Sequence, residues 1–171
     1  HIDYVVNTAA ILIRKSLKLM TDEEINSVIA INLNGAIHVT MKSYQYLKRS
    51  KGSLLLYTSS SYTRGREFYS LYSATKCAIV NFTQAIAEEW MDDGIDVNCI
   101  NPERTATPMR TKNFGHEPPH TLLTAEEVAR SSLATLVTSM TGAIIDVRIP
   151  DDEKASQIQK EIENLEQENS Q

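Results

Sequence analysis

The chain is poor in several residue types. It has only two cysteines, five prolines and six glycines in 171 residues, and the glycines are isolated from one another. Scattered glycine and little proline exclude a collagen-like chain. Cys77 and Cys99 sit inside apolar segments and read as buried reduced thiols rather than a disulfide, which predicts a cytoplasmic protein. Apolar runs are short, Leu54-Leu55-Leu56 among them, so no membrane span is predicted. The first residues lack a basic n-region and a cleavage site, so no signal peptide is predicted either. Positive charge is not in excess: the net charge is -5. Residues 151–171 hold seven acids and two lysines, which account for that charge, and the body before them is neutral. Without a basic face, general nucleic-acid binding is excluded as an expectation.

What remains is an ordinary globular mixture, 42% hydrophobic and 23% charged, of a length that suits one domain. That excludes a disordered chain and a mini-protein that needs staples. The chain opens on His1 rather than Met, which gives the expectation of a piece of something longer.

Apolar patterning divides the body into alternating elements. Residues 2–7 form a β-branched run that reads as a buried strand. Thr21 and Glu24 make a capping box, predicting a helix from Asp22 to about Leu47. Asn32 and Gly35 in its middle predict a local distortion. Strands are expected at 53–58, 96–100 and 143–147, and helices at 70–91 and, from the second capping box Thr124/Glu127, to about Ser139. Residues 101–119 read as a loop with room for one helical turn. Strand and helix alternation implies parallel βαβ units, hence an α/β fold with a doubly wound sheet. Residues 1–150 are taken as one domain portion and 151–171 as an acidic tail, helical or disordered. Ile158, Ile162 and Leu165 in the tail have helical spacing, which suits either a dimer-forming helix or a solvated one.

A tyrosine four residues before a lysine on a helix puts both side chains on one face. The ammonium then lowers the phenol from its ordinary value of about 10, making it a proton donor or acceptor for a carbonyl/alcohol pair. Tyr72/Lys76 and Tyr44/Lys48 both have this spacing. Context separates them. Ahead of Tyr72 lies a strand that runs into Thr58-Ser59-Ser60-Ser61, and a serine just past a parallel strand faces the crevice where such sheets bind ligands. Nothing of the kind precedes Tyr44, whose pair is expected on a solvated helix end. His116 and His120 are separated by Pro118 and Pro119, which forbid a common helix face, so no metal site is expected.

Asn32, Ser59, Tyr72 and Lys76, with their intervals, resemble the Asn-Ser-Tyr-Lys tetrad of the short-chain dehydrogenase/reductase family. Val5-Val6-Asn7-Thr8-Ala9-Ala10 resembles the family's Asn-Asn-Ala-Gly turn, departing at Thr8 and Ala10. The run from Asn101-Pro102 to Thr107 resembles its Pro-Gly-x-x-x-Thr segment, with Glu103 where the family has glycine. The resemblance covers Ile2 to about Val147. It implies that Tyr72 donates a proton to a substrate carbonyl, that Lys76 holds the nicotinamide ribose, and that Ser59 orients the carbonyl. It further implies that Asn32 holds a water of the proton relay, and that Asn7 and Thr107 line the cofactor. The family's glycine-rich turn, which lets a backbone approach a pyrophosphate, has no counterpart here. The strand at 2–7 resembles the family's fourth. The expectation is therefore the C-terminal part of a Rossmann fold, its first three strands and helices lying upstream, with strand 2–7 left as an apolar edge.

Arg64 and Arg66 between Ser59 and Tyr72, with Arg104, Arg110 and Lys112 in the later loop, concentrate positive charge in a neutral body. Guanidinium forks suit phosphate oxygens, so Arg64, Arg66 and Arg104 are candidates for a substrate phosphate. The stretches 61–90 and 101–112 further resemble one subgroup, the reductase half of bifunctional enzymes that make ribitol phosphate and CDP-ribitol. That implies NADPH-dependent reduction of D-ribulose 5-phosphate, a homodimer or homotetramer, and an N-terminal cytidylyltransferase domain. Two other readings stand beside it: a generic carbonyl reductase of the 3-oxoacyl type, and a truncated, non-catalytic chain that assembles through its long helices.

Overall fold

The computed structural model describes residues 1–149; the acidic tail lies outside the described residues. Four strands, β1 (Tyr4–Asn7), β2 (Ser53–Tyr57), β3 (Asp96–Pro102) and β4 (Ile144–Val147), form one parallel sheet in the order β1-β2-β3-β4. Leu55 pairs with Val6, Leu56 with Cys99, and Cys99 with Ile144. Between them run α1 (Asp22–Ile29), α2 (Gly35–Ser50), α3 (Ser70–Trp90), α4 (Pro108–Phe114) and α5 (Ala125–Leu136).

Local chemistry accounts for where these helices begin. In both capping boxes the bonds are reciprocal: Thr21 Oγ1 accepts from the Glu24 N–H at 3.2 Å while Glu24 Oε2 accepts from the Thr21 N–H at 2.8 Å, and Thr124 with Glu127 does the same at 3.1 and 2.6 Å. The distortion expected near Asn32 is a π-helical turn, Ala30–Asn34, that separates α1 from α2. The loop 101–119 holds α4, started by Thr107, whose Oγ1 accepts from the Arg110 N–H at 3.2 Å with Pro108 at the first helical position. Gly52 is required where the chain enters β2: a Cβ there would meet the Asp3 carbonyl oxygen at 2.0 Å, the same oxygen that accepts from the Ser53 N–H.

Two cores flank the sheet. On one face Leu54, Leu56, Val97 and Cys99 pack under α2 and α3, with Leu47, Ile79 and Trp90. On the other, Leu55, Ile100 and Val147 pack under α5, with Val128 and Leu136. The strands step steadily in one direction while the covering helix changes face after β3. The last crossover thus has the opposite hand to the first two, an exception to the common rule for parallel units. α5 does not reach β1, where Tyr4 and Val6 are exposed.

The buried-thiol expectation holds for Cys99 and fails for Cys77, which is exposed. Helix periodicity is the reason: α3 buries Lys76, Ile79, Val80 and Thr83, and position 77 falls on the outer face. Among the described residues no helix is long and apolar enough to cross a membrane.

Candidate active site

Three strand ends converge on one opening. After β1 comes Thr8, after β2 comes Thr58, and β3 ends at Pro102; all three line a cleft of about 770 Å³. Phe114 of α4 and Ala125 of α5 lie on its walls. Tyr72 and Lys76, one turn apart on α3, and Ser59, just past β2, also line the cleft. Three of the four residues singled out by spacing therefore share one cavity.

Each is held by its neighbours. Ser59 is extended (φ -161°, ψ 151°) and its Oγ accepts from the Ser61 N–H at 3.3 Å and the Ser61 hydroxyl at 3.2 Å. Thr58 Oγ1 donates to the Lys76 carbonyl at 2.7 Å, tying α3 to the end of β2. Lys76 is buried, 4% exposed, and its ammonium donates to the Tyr57 carbonyl at 2.8 Å. It stands 5.6 Å from the centre of the Tyr72 ring.

Burial pushes the half-buried Tyr72 phenol up to about 12, with Tyr69 adding to the shift and nearby Ser59 opposing it. Burial also brings the Lys76 ammonium down to about 8. This corrects the expectation that the ammonium lowers the phenol. The lysine turns its charge to a backbone carbonyl, and loss of hydration dominates both groups. At neutral pH the phenol keeps its proton and is a donor.

Asn32 stands behind the cleft, in the π-helical turn. It is 2% exposed; its Oδ1 accepts from the Ile11 N–H at 2.8 Å, and its Nδ2 donates to the Ile11 carbonyl at 2.9 Å and to Thr75 Oγ1 at 3.3 Å. It fixes the loop after β1 against α3. Asn7 Oδ1 accepts from the Ala9 N–H at 3.2 Å and shapes the turn whose Thr8 and Ala10, rather than Asn7, line the cleft. Thr107 lines the cleft while capping α4.

The arginines sort differently from their order in the sequence. Arg66 and Arg104 line the cleft, and neither has an ion-pair partner among the described residues. Arg64 is exposed and lines neither the cleft nor the smaller recess beside it. Arg110 is engaged by Glu117 in a two-pronged pair at 2.6 and 2.8 Å, and its guanidinium lies 3.9 Å from the centre of the Phe114 ring. Tyr44 and Lys48 are far from this chemistry: both bond Asp93, at 2.6 and 2.7 Å, and Tyr44 leans on Trp90. Among the described residues no group of three or more His, Cys, Asp or Glu could hold a metal ion.

One residue that spacing did not mark is Arg148. It bonds Glu103 at 3.1 Å and Asp146 at 2.6 Å, and Glu103 Oε2 also accepts from the Ile149 N–H at 2.9 Å. The departure from glycine at Glu103 was the available signal.

The family model for short chain dehydrogenases matches residues 1–118. The chain belongs to the short-chain dehydrogenase family. It is 55% identical, over 157 residues, to the bifunctional ribulose 5-phosphate reductase/CDP-ribitol pyrophosphorylase of Haemophilus influenzae, a match that covers 92% of this chain and 33% of that protein. It is 34% identical over 112 residues to an acetoacetyl-CoA reductase of Acinetobacter sp., covering 65% and 45% of the two chains. The crystal structure of a short chain dehydrogenase from Salmonella enterica serovar Typhi superimposes with a TM-score of 0.79 at 28% identity, over 85% of this chain and 62% of that one. The chain thus spans less than half the length of these two curated relatives. Ser59, Tyr72 and Lys76, which share one cleft, all lie within the matched residues 1–118.

Proposed function

We propose that this chain carries the carbonyl-reducing half of a site that converts D-ribulose 5-phosphate to D-ribitol 5-phosphate with NADPH. The observation that carries the reading is the pairing, in one cleft, of a protonated phenol with two arginines that have no carboxylate partner among the described residues. The 55% identity to a ribulose 5-phosphate reductase supports it.

The residues present suit the nicotinamide end of such a cofactor. Lys76 has three N–H donors and spends one on Tyr57, leaving two for ribose hydroxyls. Small residues, Thr8 and Ala10, face the cleft where a flat ring must enter. The six isolated glycines provide no turn for the pyrophosphate, which other residues of the intact protein must hold. The reduced nicotinamide, when bound, supplies the hydride that reaches the carbonyl carbon. Tyr72 donates its proton to the carbonyl oxygen, and the Ser59 hydroxyl donates a hydrogen bond to the same oxygen. Lys76 keeps positive potential beneath that oxygen as negative charge develops there. Asn32, through Ile11 and Thr75, positions the loop that closes the cleft behind the ribose. Arg66 and Arg104 hold the phosphate.

On this reading residues 1–150 are the C-terminal portion of the reductase domain, 151–171 are a separate tail, and a cytidylyltransferase precedes the domain in the intact, oligomeric protein. The test is a panel of carbonyl compounds offered to the intact protein with NADPH: D-ribulose 5-phosphate, D-ribulose and acetoacetyl-CoA. Preferential oxidation of NADPH by the phosphorylated ketose supports the reading; a preference for acetoacetyl-CoA replaces it with a 3-oxoacyl reductase.

A further inference from the structure

A second recess, of about 260 Å³, opens beside the cleft and shares Ser60, Arg66, Glu103 and Arg104 with it. Its remaining wall includes Thr63, Asn101 and Arg148. Three guanidinium groups therefore border a small polar space against two carboxylates, Glu103 in the lining and Asp146 joined to the lining through Arg148 and Asn101; Glu103 is already bonded to Arg148 and to the Ile149 N–H. Arg148 is bonded a second time by Asp146, so two carboxylates offset its charge and it forms part of the wall. Arg66 and Arg104 have no ion-pair partner among the described residues. The Ser60 hydroxyl makes no hydrogen bond among the described residues, and the Thr63 hydroxyl makes one, to the Ser60 carbonyl at 3.2 Å.

One lining residue carries an independent sign of an absent donor. Asn101 is 3% exposed, its Nδ2 donates to Asp146 Oδ1 at 2.6 Å, and its Oδ1 has no partner. A buried unpaired acceptor is costly, and a ligand hydroxyl that reaches it relieves that cost. Two guanidinium groups without ion-pair partners, a free hydroxyl donor on Ser60 and an unsatisfied acceptor on Asn101, all in one lining, match a phosphate monoester on a polyhydroxylated carbon chain. They suit an acyl chain poorly, since its entry would strip water from the arginines with nothing in return.

We propose that this recess, and not the body of the cleft, is the seat of the substrate's phosphate, with Arg66 and Arg104 as its direct cations and Arg148 masking the carboxylates of Glu103 and Asp146 that clasp it. This deepens the proposed function and rests on it for the identity of the sugar. It drops Arg64 from the phosphate contacts and gives Arg148 that masking role. It also gives Glu103 a role that glycine cannot fill, since without the carboxylate Arg148 loses one of its two anchors.

The experiment measures equilibrium binding to the intact protein of three probes: D-ribitol 5-phosphate, ribitol and inorganic phosphate, the phosphorus-containing ones read by phosphorus-31 line broadening. Arg66→Gln and Arg104→Gln should each weaken D-ribitol 5-phosphate roughly 10- to 100-fold, the range of a charge-assisted hydrogen bond. Both should abolish broadening of inorganic phosphate and leave ribitol binding unchanged. Arg148→Gln should weaken D-ribitol 5-phosphate, with Arg148→Lys restoring part of the loss. Arg130→Gln, which removes the same charge on the exposed face of α5, is the control and should change nothing. If D-ribitol 5-phosphate binds tightly but the Arg66 and Arg104 variants stay within twofold of wild type, the recess is wrong and the sugar-phosphate reading stands. If inorganic phosphate is lost in these variants but D-ribitol 5-phosphate binds no better than inorganic phosphate, the recess stands as an anion seat and the ketose reading falls. If no phosphorus probe binds, both fall.

Discussion

The ionisation of Lys76 gives a prediction whose size follows from the structure. Its ammonium, ordinarily near 10.5, is brought down to about 8 by burial. A lowered folded-state value means that the native chain sheds this proton at lower pH than the unfolded chain. Between about pH 8 and 10.5 the unfolded state therefore holds more protons, and stability rises with pH across that window. Below pH 8 both states are charged, and the full penalty of a buried ammonium, about 3 kcal/mol, is present. Tyr72 acts in the opposite sense above pH 10: its raised value keeps a proton on the native state that the unfolded state releases, so stability falls from pH 10 to 12. Comparison with Lys76→Met isolates the lysine, because Tyr72 and every other group remain in both proteins. The bond from Lys76 to the Tyr57 carbonyl persists in the neutral amine but weakens, a change already contained in the folded-state value of about 8. Urea denaturation of both proteins at pH 7, 8, 9 and 10 should show wild type gaining about 2–3 kcal/mol on the variant between pH 8 and 10. A difference that stays within about 1 kcal/mol over that range would refute the assignment of a buried, titrating ammonium.

Two further outcomes follow from the same geometry. Tyr72→Phe keeps the ring and removes the proton, so turnover of the ketose should fall at least 100-fold, with cofactor affinity, read by NADPH fluorescence, within a few fold of wild type; retention of most of the rate would displace Tyr72 as the proton donor. Asn32→Ala removes three hydrogen bonds and strands both backbone groups of Ile11, so it should cost about 2–4 kcal/mol in a urea midpoint analysis; a cost under about 0.5 kcal/mol would mean that the loop after β1 is held by something else.

Much of this was readable before any coordinates, for identifiable reasons. Capping boxes are contained in four residues, so Thr21/Glu24 and Thr124/Glu127 could be marked from sequence. A polar, poorly helical Asn-Leu-Asn-Gly run inside an apolar helix announces a break, and the π-helical turn falls on it. Ser59 and Tyr72 share a cleft because a strand end and a helix face are both set by periodicity. What could not be read depended on long-range packing. The sequence pattern of α5 does not say which sheet face it covers, so the reversed final crossover was invisible. Cys77 looked apolar in its neighbourhood, yet its side of α3 is solvent. The value of the Tyr72 phenol is decided by how much water surrounds it, which spacing to Lys76 does not encode. Arg148 lies 45 residues from Glu103 in sequence, and only the sheet brings them together.

The order of the sheet has a kinetic consequence. Every strand finds its neighbour only after an intervening helix has been made, so each pairing closes a loop of roughly 45 residues and none is a local hairpin. During synthesis at about 5–20 residues per second, the β2-facing edge of β1 stays open for roughly two to ten seconds before its partner exists. Over that interval the strand presents Tyr4, Val5 and Val6 with unpaired backbone groups on the side that β2 will occupy. Slower translation between residues 8 and 52 should therefore raise the share of nascent chains that aggregate, while slowing beyond Val147 should leave it unchanged.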